Sequence, residues 1–226
     1  MEVQHSETKV QGDTKKRRGL LGTPTSILIK LLNGKNTMEK FDLVYCDPPR
    51  RYNNRETGGK RANKTKFWWG ASKHYPLMKD KELLDMKDFI KDITKDNSII
   101  FMWATPPRLD FAIKLMNEWW FSYKTIAFNR VKVNNDWTYR VNPWYYTASN
   151  CEVVLLWIKW ENNWRFKPKK TMINQIISEH IREHSRKPDI VRDNIDIMYP
   201  NLNKIELFAR TKKEWWEVRW NQVNLF

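Results

Sequence analysis

Apolar runs of strand length alternate with stretches of helical spacing along most of this chain. FDLVYC (41–46) is a continuous apolar run bounded by charge and proline, the pattern of a strand buried on both faces. Residues 79–95 then carry Leu83, Met86, Ile90 and Ile93 at helical spacing, and SIIFMW (98–103) reads as a second buried strand. LDFAIKLMNEW (109–119) is helical, whereas YKTIAFNRVK (123–132) and CEVVLLWIK (151–159) are further strands. PDIVRDNIDIMY (188–199) reads as a helix opened by Pro188, KIELFAR (204–210) as a strand, and 215–219 as a short last one. A short helix closed by Gly34 is expected over 24–34.

Strands alternating with helices predict an α/β fold with a mostly parallel sheet covered by helices on both faces. Ligands of such sheets bind beyond the carboxyl ends of the strands. Asp47 follows the first strand directly, so its position alone makes it a candidate. Two segments stand outside the alternation. Residues 1–22 are polar, contain KKRR at 15–18, and read as a disordered basic arm. The remainder, 23–226, is expected to be one domain. From Arg50 to Lys73 runs a long basic loop containing RRYNNRETGGKRANK, of a length that compact domains usually reserve for binding.

Composition sharpens this picture. The chain has 226 residues and a net charge of +15, an excess that favours a polyanionic partner, of which nucleic acid is the usual one. Arg51, Arg55, Lys60, Arg61 and Lys64 in the loop are the candidate phosphate contacts, and such contacts would make affinity salt-dependent. No apolar run approaches the roughly 20 residues that cross a membrane. Neither is there a signal pattern at the N-terminus. Cys46 and Cys151 both fall in apolar strands and read as core thiols, so no metal site and an intracellular, cytoplasmic location are expected.

Glycine usage is anomalous. All seven glycines lie at or before Gly70, and the 156 residues that follow contain none, where ordinary usage predicts about 11. The same span holds eleven of the thirteen tryptophans. An α/β domain needs glycine at helix C-caps and tight turns, where φ is positive.

The chemistry of Asp47-Pro48-Pro49 is specific. A carboxylate only accepts hydrogen bonds. Prolines fix the chain and remove backbone donors, so their carbonyls can be aimed outward. Asp47 and the Pro48 carbonyl can thus accept both hydrogens of an exocyclic amine such as that of adenine or cytosine. Taken alone, the tripeptide is also a common way of ending a strand.

FDLVYCDPP, SKHYPLM, IIFMWATP, HSRKPDIVRDNIDIMYP, KIELFAR and a final NQ, in that order, resemble the DPPW-type adenine-N6 methyltransferase family, also called the messenger-RNA adenosine methyltransferase family, which has bacterial and phage DNA-modifying members. The resemblance runs from about Phe41 to Val223. It implies a Rossmann-like fold dependent on S-adenosylmethionine, with a permuted motif order in which the catalytic segment precedes the cofactor strand. By motif position, Asp47, Pro48 and Pro49 would hold the target amine near the sulfonium methyl, and Arg50 falls where a stacking aromatic is expected. Tyr75 would border the acceptor pocket. Lys187 would meet the cofactor's methionine carboxylate, a role that suits a compact point charge. Glu206, Arg210, Asn221 and Gln222 would hold its ribose and adenine, and Asp47 would also border the cofactor. DNA is the first substrate implied and RNA the second; a homo- or heterodimer is left open.

The chain departs from the family pattern in only two ways. Arginine replaces tryptophan at Arg50, Arg130 and Arg219, and tryptophan replaces glycine at Trp120, Trp144, Trp157, Trp160 and Trp220. Two reassigned codons, one meaning glycine and one meaning tryptophan, would produce this pattern together with the glycine gap. Read literally, the same residues describe a relative that binds nucleic acid or a partner subunit without transferring a methyl group. A basic binding module without cofactor chemistry is the third alternative.

Overall fold

A computed structural model describes residues 39–49, 77–141, 143–144, 147–159, 166–170, 172–180 and 186–219. The basic arm, the helix expected over 24–34 and the loop from Arg50 to Lys73 lie outside the described residues. All described residues fall in one compact unit, Lys35–Phe226.

In chain order the elements are β1 (Phe41–Cys46), α1 (Asp80–Leu84), α2 (Lys87–Ile93), β2 (Thr94–Ala104), a 3-10 turn (Pro106–Arg108), α3 (Leu109–Glu118) and β3 (Ser122–Val133). There follow β4 (Pro143–Trp144), β5 (Thr147–Ala148), β6 (Cys151–Lys159), β7 (Ile176–His180), α4 (Asp189–Met198), β8 (Lys204–Leu207) and β9 (Trp216–Arg219). Seven strands form one sheet in the order β7-β3-β6-β2-β1-β8-β9, while β4 and β5 form a separate two-stranded ribbon.

The sheet is mixed. β1 pairs in parallel with β2 and β8, β8 with β9, and β3 with β7, whereas β6 runs antiparallel to both its neighbours. A strand buried on both faces reads as an unbroken apolar run in either direction, so CEVVLLWIK carries no mark of its reversal. The helical run at 79–95 is likewise two helices, because the chain turns at Asp85–Met86 before α2 begins. Its four apolar positions, Leu83, Met86, Ile90 and Ile93, are all buried nonetheless.

One face of the sheet packs Leu43, Tyr45, Ile99, Phe101, Trp103, Phe128 and Val154 against Val191, Ile195 and Tyr199 of α4 and its end. Side chains alternate across a strand, so Val44, Ile100 and Met102, also buried, point to the opposite face. There α2 and α3 lie against β2 and β3, and the indole N–H of Trp119 donates to the Leu83 carbonyl at 3.1 Å, tying α3 to α1. Burying both faces fixes the sheet rigidly and leaves its carboxyl edge as the place where polar side chains gather. Cys46 is buried and Cys151 half-buried, and neither is in a disulfide.

Candidate active site

β1 delivers Asp47 beyond its carboxyl end. The segment is held from behind: Pro48 is buried, and the Pro49 carbonyl accepts the Met78 amide at 2.7 Å. Beside β1, the parallel pairing with β8 puts Tyr45 level with Glu206. The Tyr45 hydroxyl accepts the indole N–H of Trp103, one strand further along. Burial pushes that hydroxyl well above its ordinary pKa and the nearby Glu206 adds to the effect, so it stays neutral.

The second wall comes from the start of α4. Pro188 caps this helix at φ −59°, in the conformation its ring dictates. Lys187, just before it, is carried over the edge of the sheet. Its ammonium lies 3.1 Å from Glu152 and 3.5 Å from Asp47, and 4.8 Å from the centre of the Trp103 ring. Burial alone would lower its pKa, but Asp47 and Glu152 outweigh burial and raise it, so the ammonium is charged. Because β6 is antiparallel, its first residues lie at the same edge as the ends of β2 and β3. Glu152 therefore reaches three cations: Lys187, Lys132 at 2.8 Å and Arg130 at 3.2 Å. Burial pushes the Glu152 carboxyl up, and the three cations together hold it well below the usual carboxylate range.

Opposite these groups, Arg192 of α4 donates to Glu206 at 3.1 Å and also to Asp189, three residues earlier on its own helix. Burial dominates at Glu206 and pushes its carboxyl up to about 7 despite Arg192, with Asp47 and Asp189 contributing in the same direction. Between the two walls lies an open pocket whose lining includes Asp47, Lys187, Arg192, Glu206, Phe208 and Arg210.

Of the residues expected from the sequence, Asp47, Lys187, Glu206 and Arg210 thus share one pocket, with Pro48 and Pro49 directly behind Asp47. Arg50, Tyr75, Asn221 and Gln222 lie outside the described residues, as do Arg51, Arg55, Lys60, Arg61 and Lys64. Glu152, Lys132 and Arg192 were not singled out by sequence. The available signal was a carboxylate inside the apolar run CEVVLLWIK, and an arginine on the same turn of α4 as Asp189. Arg130 was noted only as a departure. It is buried, bonded to Glu152 and, at 3.5 Å, to Glu179, and its Nε atom has no acceptor among the described residues.

A Rossmann-like sheet thus gathers an acidic group beyond β1, a lysine at a helix start and an acidic group on the neighbouring parallel strand at its carboxyl edge, where sheets of this kind bind ligands. The chain belongs to the MT-A70 family, whose profile matches residues 41–221, and is of the methyltransferase type. It is 35% identical over 188 residues, 79% of this chain and 76% of the relative, to the Type II methyltransferase M.MunI of a Mycoplasma species.

Proposed function

We propose that the chain transfers a methyl group from S-adenosylmethionine to the N6 amino group of an adenine in nucleic acid, DNA before RNA. The observation that carries this reading is the meeting of Asp47 and Lys187 at one end of a pocket whose other wall is Glu206 and Arg210. Family membership supports methyl transfer, and the net charge of +15 supports a polyanionic substrate.

The donor set fits the cofactor. The Lys187 ammonium has three hydrogens; two named carboxylates engage it at 3.1 and 3.5 Å, leaving capacity for a ligand carboxylate. Glu206, fixed by Arg192, is an acceptor suited to ribose hydroxyls. When bound, the cofactor supplies a methyl group on a positively charged sulfur.

The chain's own contribution is alignment. Asp47 accepts one hydrogen of the target amine and the Pro48 carbonyl the other, which turns the nitrogen lone pair out of conjugation with the ring. Holding both reactants in line supplies several kcal/mol of the barrier reduction. Lys187, 3.5 Å from Asp47, gives the carboxylate that accepts the amine hydrogen a cationic partner. After transfer the surplus amine proton leaves to Asp47 or to water. In a duplex the adenine must first leave the stack, at a cost of a few kcal/mol.

Calorimetry with S-adenosylmethionine tests the cofactor. Radiolabelled transfer to adenine-containing DNA and RNA, followed by nucleoside analysis, tests substrate and position. Label in N6-methyladenine of DNA supports the proposal. Label only in RNA moves the substrate, and absence of cofactor binding overturns it.

A further inference from the structure

Among the described residues, four other than glycine have positive φ, and three of them are tryptophans: Trp120 at 61°, Trp137 at 64° and Trp215 at 65°. Left-handed backbone crowds any Cβ against the neighbouring carbonyl, and a bulky residue there is a rare outlier. Each of the three sits at the position of a tight turn where glycine is the standard residue.

Trp120 follows α3. The Phe121 amide bonds the Met116 carbonyl and the Trp120 amide the Asn117 carbonyl, both at 3.0 Å. This pair of bonds is a Schellman motif with Trp120 at its left-handed residue, usually glycine. Trp137 closes the turn after β3. Its amide bonds the Asn134 carbonyl at 3.0 Å, the Asn134 amide bonds the Thr138 carbonyl at 2.8 Å, and Val133 bridges Tyr139. That is a three-residue hairpin loop whose last residue, Trp137 after Asp136, is left-handed, a position hairpins fill with glycine. Trp215 precedes β9. The Trp216 amide returns to the Lys213 carbonyl at 3.2 Å, so Trp215 is the third residue of a turn with positive φ there, the type II position that requires glycine.

The side chains divide in the same way. Trp120, Trp137 and Trp215 are 48%, 64% and 89% exposed. Trp103, Trp119 and Trp216 are buried with ordinary backbones, and their indole N–H groups donate to Tyr45, Leu83 and Asp196. The first set makes surface ring contacts, with Lys91 5.8 Å from the centre of the Trp120 ring and His180 edge-on to Trp137 at 4.4 Å, whereas the second set is built into the core by its indoles. The fourth positive-φ residue, Phe208, lines the pocket, where strained residues are common.

We propose that Trp120, Trp137 and Trp215 stand at glycine positions, because the source of this chain reads as glycine a codon rendered here as tryptophan. The fold then has glycine at these three left-handed turns, and the glycine gap after Gly70 is broken at three places. Trp137 and Trp215 join Trp120, which the family pattern already marks. Trp157 is a separate case: it lies in extended β6, buried, with an indole N–H that has no acceptor among the described residues.

The gene and the protein both test this. One codon at Trp120, Trp137 and Trp215, different from the codon at Trp103, Trp119 and Trp216, is expected; a single codon at all six overturns the proposal. In thermal unfolding of the full chain, Trp120→Gly, Trp137→Gly and Trp215→Gly combined raise Tm by roughly 6 °C or more, whereas Trp119→Gly lowers it. A triple variant that melts at or below the parent overturns the proposal.

Discussion

The ammonium of Lys187 lies 3.1 Å from the carboxylate of Glu152, joining the start of α4 to the start of β6 across the carboxyl edge of the sheet. The two residues are 35 positions apart. Their contact makes Glu152 the hub of a cationic cluster of Lys187, Lys132 and Arg130.

Removing the hub leaves three cations facing one another with less to balance them. Glu152→Gln is expected to destabilise the fold by about 3 kcal/mol, as does the loss of one partner from a buried pair. Denaturant unfolding at neutral pH measures this. In the parent, the low-lying Glu152 carboxyl contributes stability above the ordinary carboxylate range, and this contribution is lost as pH falls toward its folded value. The acid-side loss is smaller in the Gln variant.

Glu206 acts with the opposite sign. Its folded pKa of about 7 lies above the ordinary value of 4.5. Its contribution is complete below about 4.5 and is lost as pH rises through about 7, by about 3 kcal/mol at most. Unfolding free energies at pH 5 and pH 8 are expected to differ less in Glu206→Gln than in the parent.

Lys187→Met removes the charge while keeping an unbranched stem. S-adenosylmethionine affinity is expected to fall about tenfold, the typical worth of a charged hydrogen bond. Calorimetry at fixed salt gives the ratio, and an unchanged Kd would remove Lys187 from the cofactor site.

Arg130 buries a guanidinium whose Nε atom has no acceptor among the described residues. Replacing buried ion pairs by apolar groups is often neutral or stabilising, and Lys132 and Lys187 still balance Glu152 when Arg130 is gone. Arg130→Trp is expected to melt no lower than the parent, and Arg130→Ala to melt lower because it leaves a void. Differential scanning calorimetry compares the two.

The strands were legible where packing alone decides them. β1 and β6 have the boundaries their apolar runs predict, because both are buried along most of their length. β8 stops at Leu207, short of the apolar run, because Phe208 turns to positive φ at the pocket. β7 was not foreseen: Ile176–His180 is a half-polar strand at the edge of the described sheet, paired with β3. Asp47, Lys187, Glu206 and Arg210 were legible through motif order. The ring around Glu152 was not, since Lys132 and Lys187 reach it from 20 and 35 residues away and only the reversed direction of β6 brings them together.

The most direct test of the central claim is labelled methyl transfer from S-adenosylmethionine to adenine-containing DNA. It compares the chain as written, a form carrying Arg50→Trp, Arg219→Trp and Trp220→Gly, and that form with Asp47→Asn. The account predicts label in N6-methyladenine with the substituted form, and at least a hundredfold less with Asp47→Asn although cofactor binding is retained. Equal labelling with and without Asp47, or no labelled adenine from any form, would contradict it.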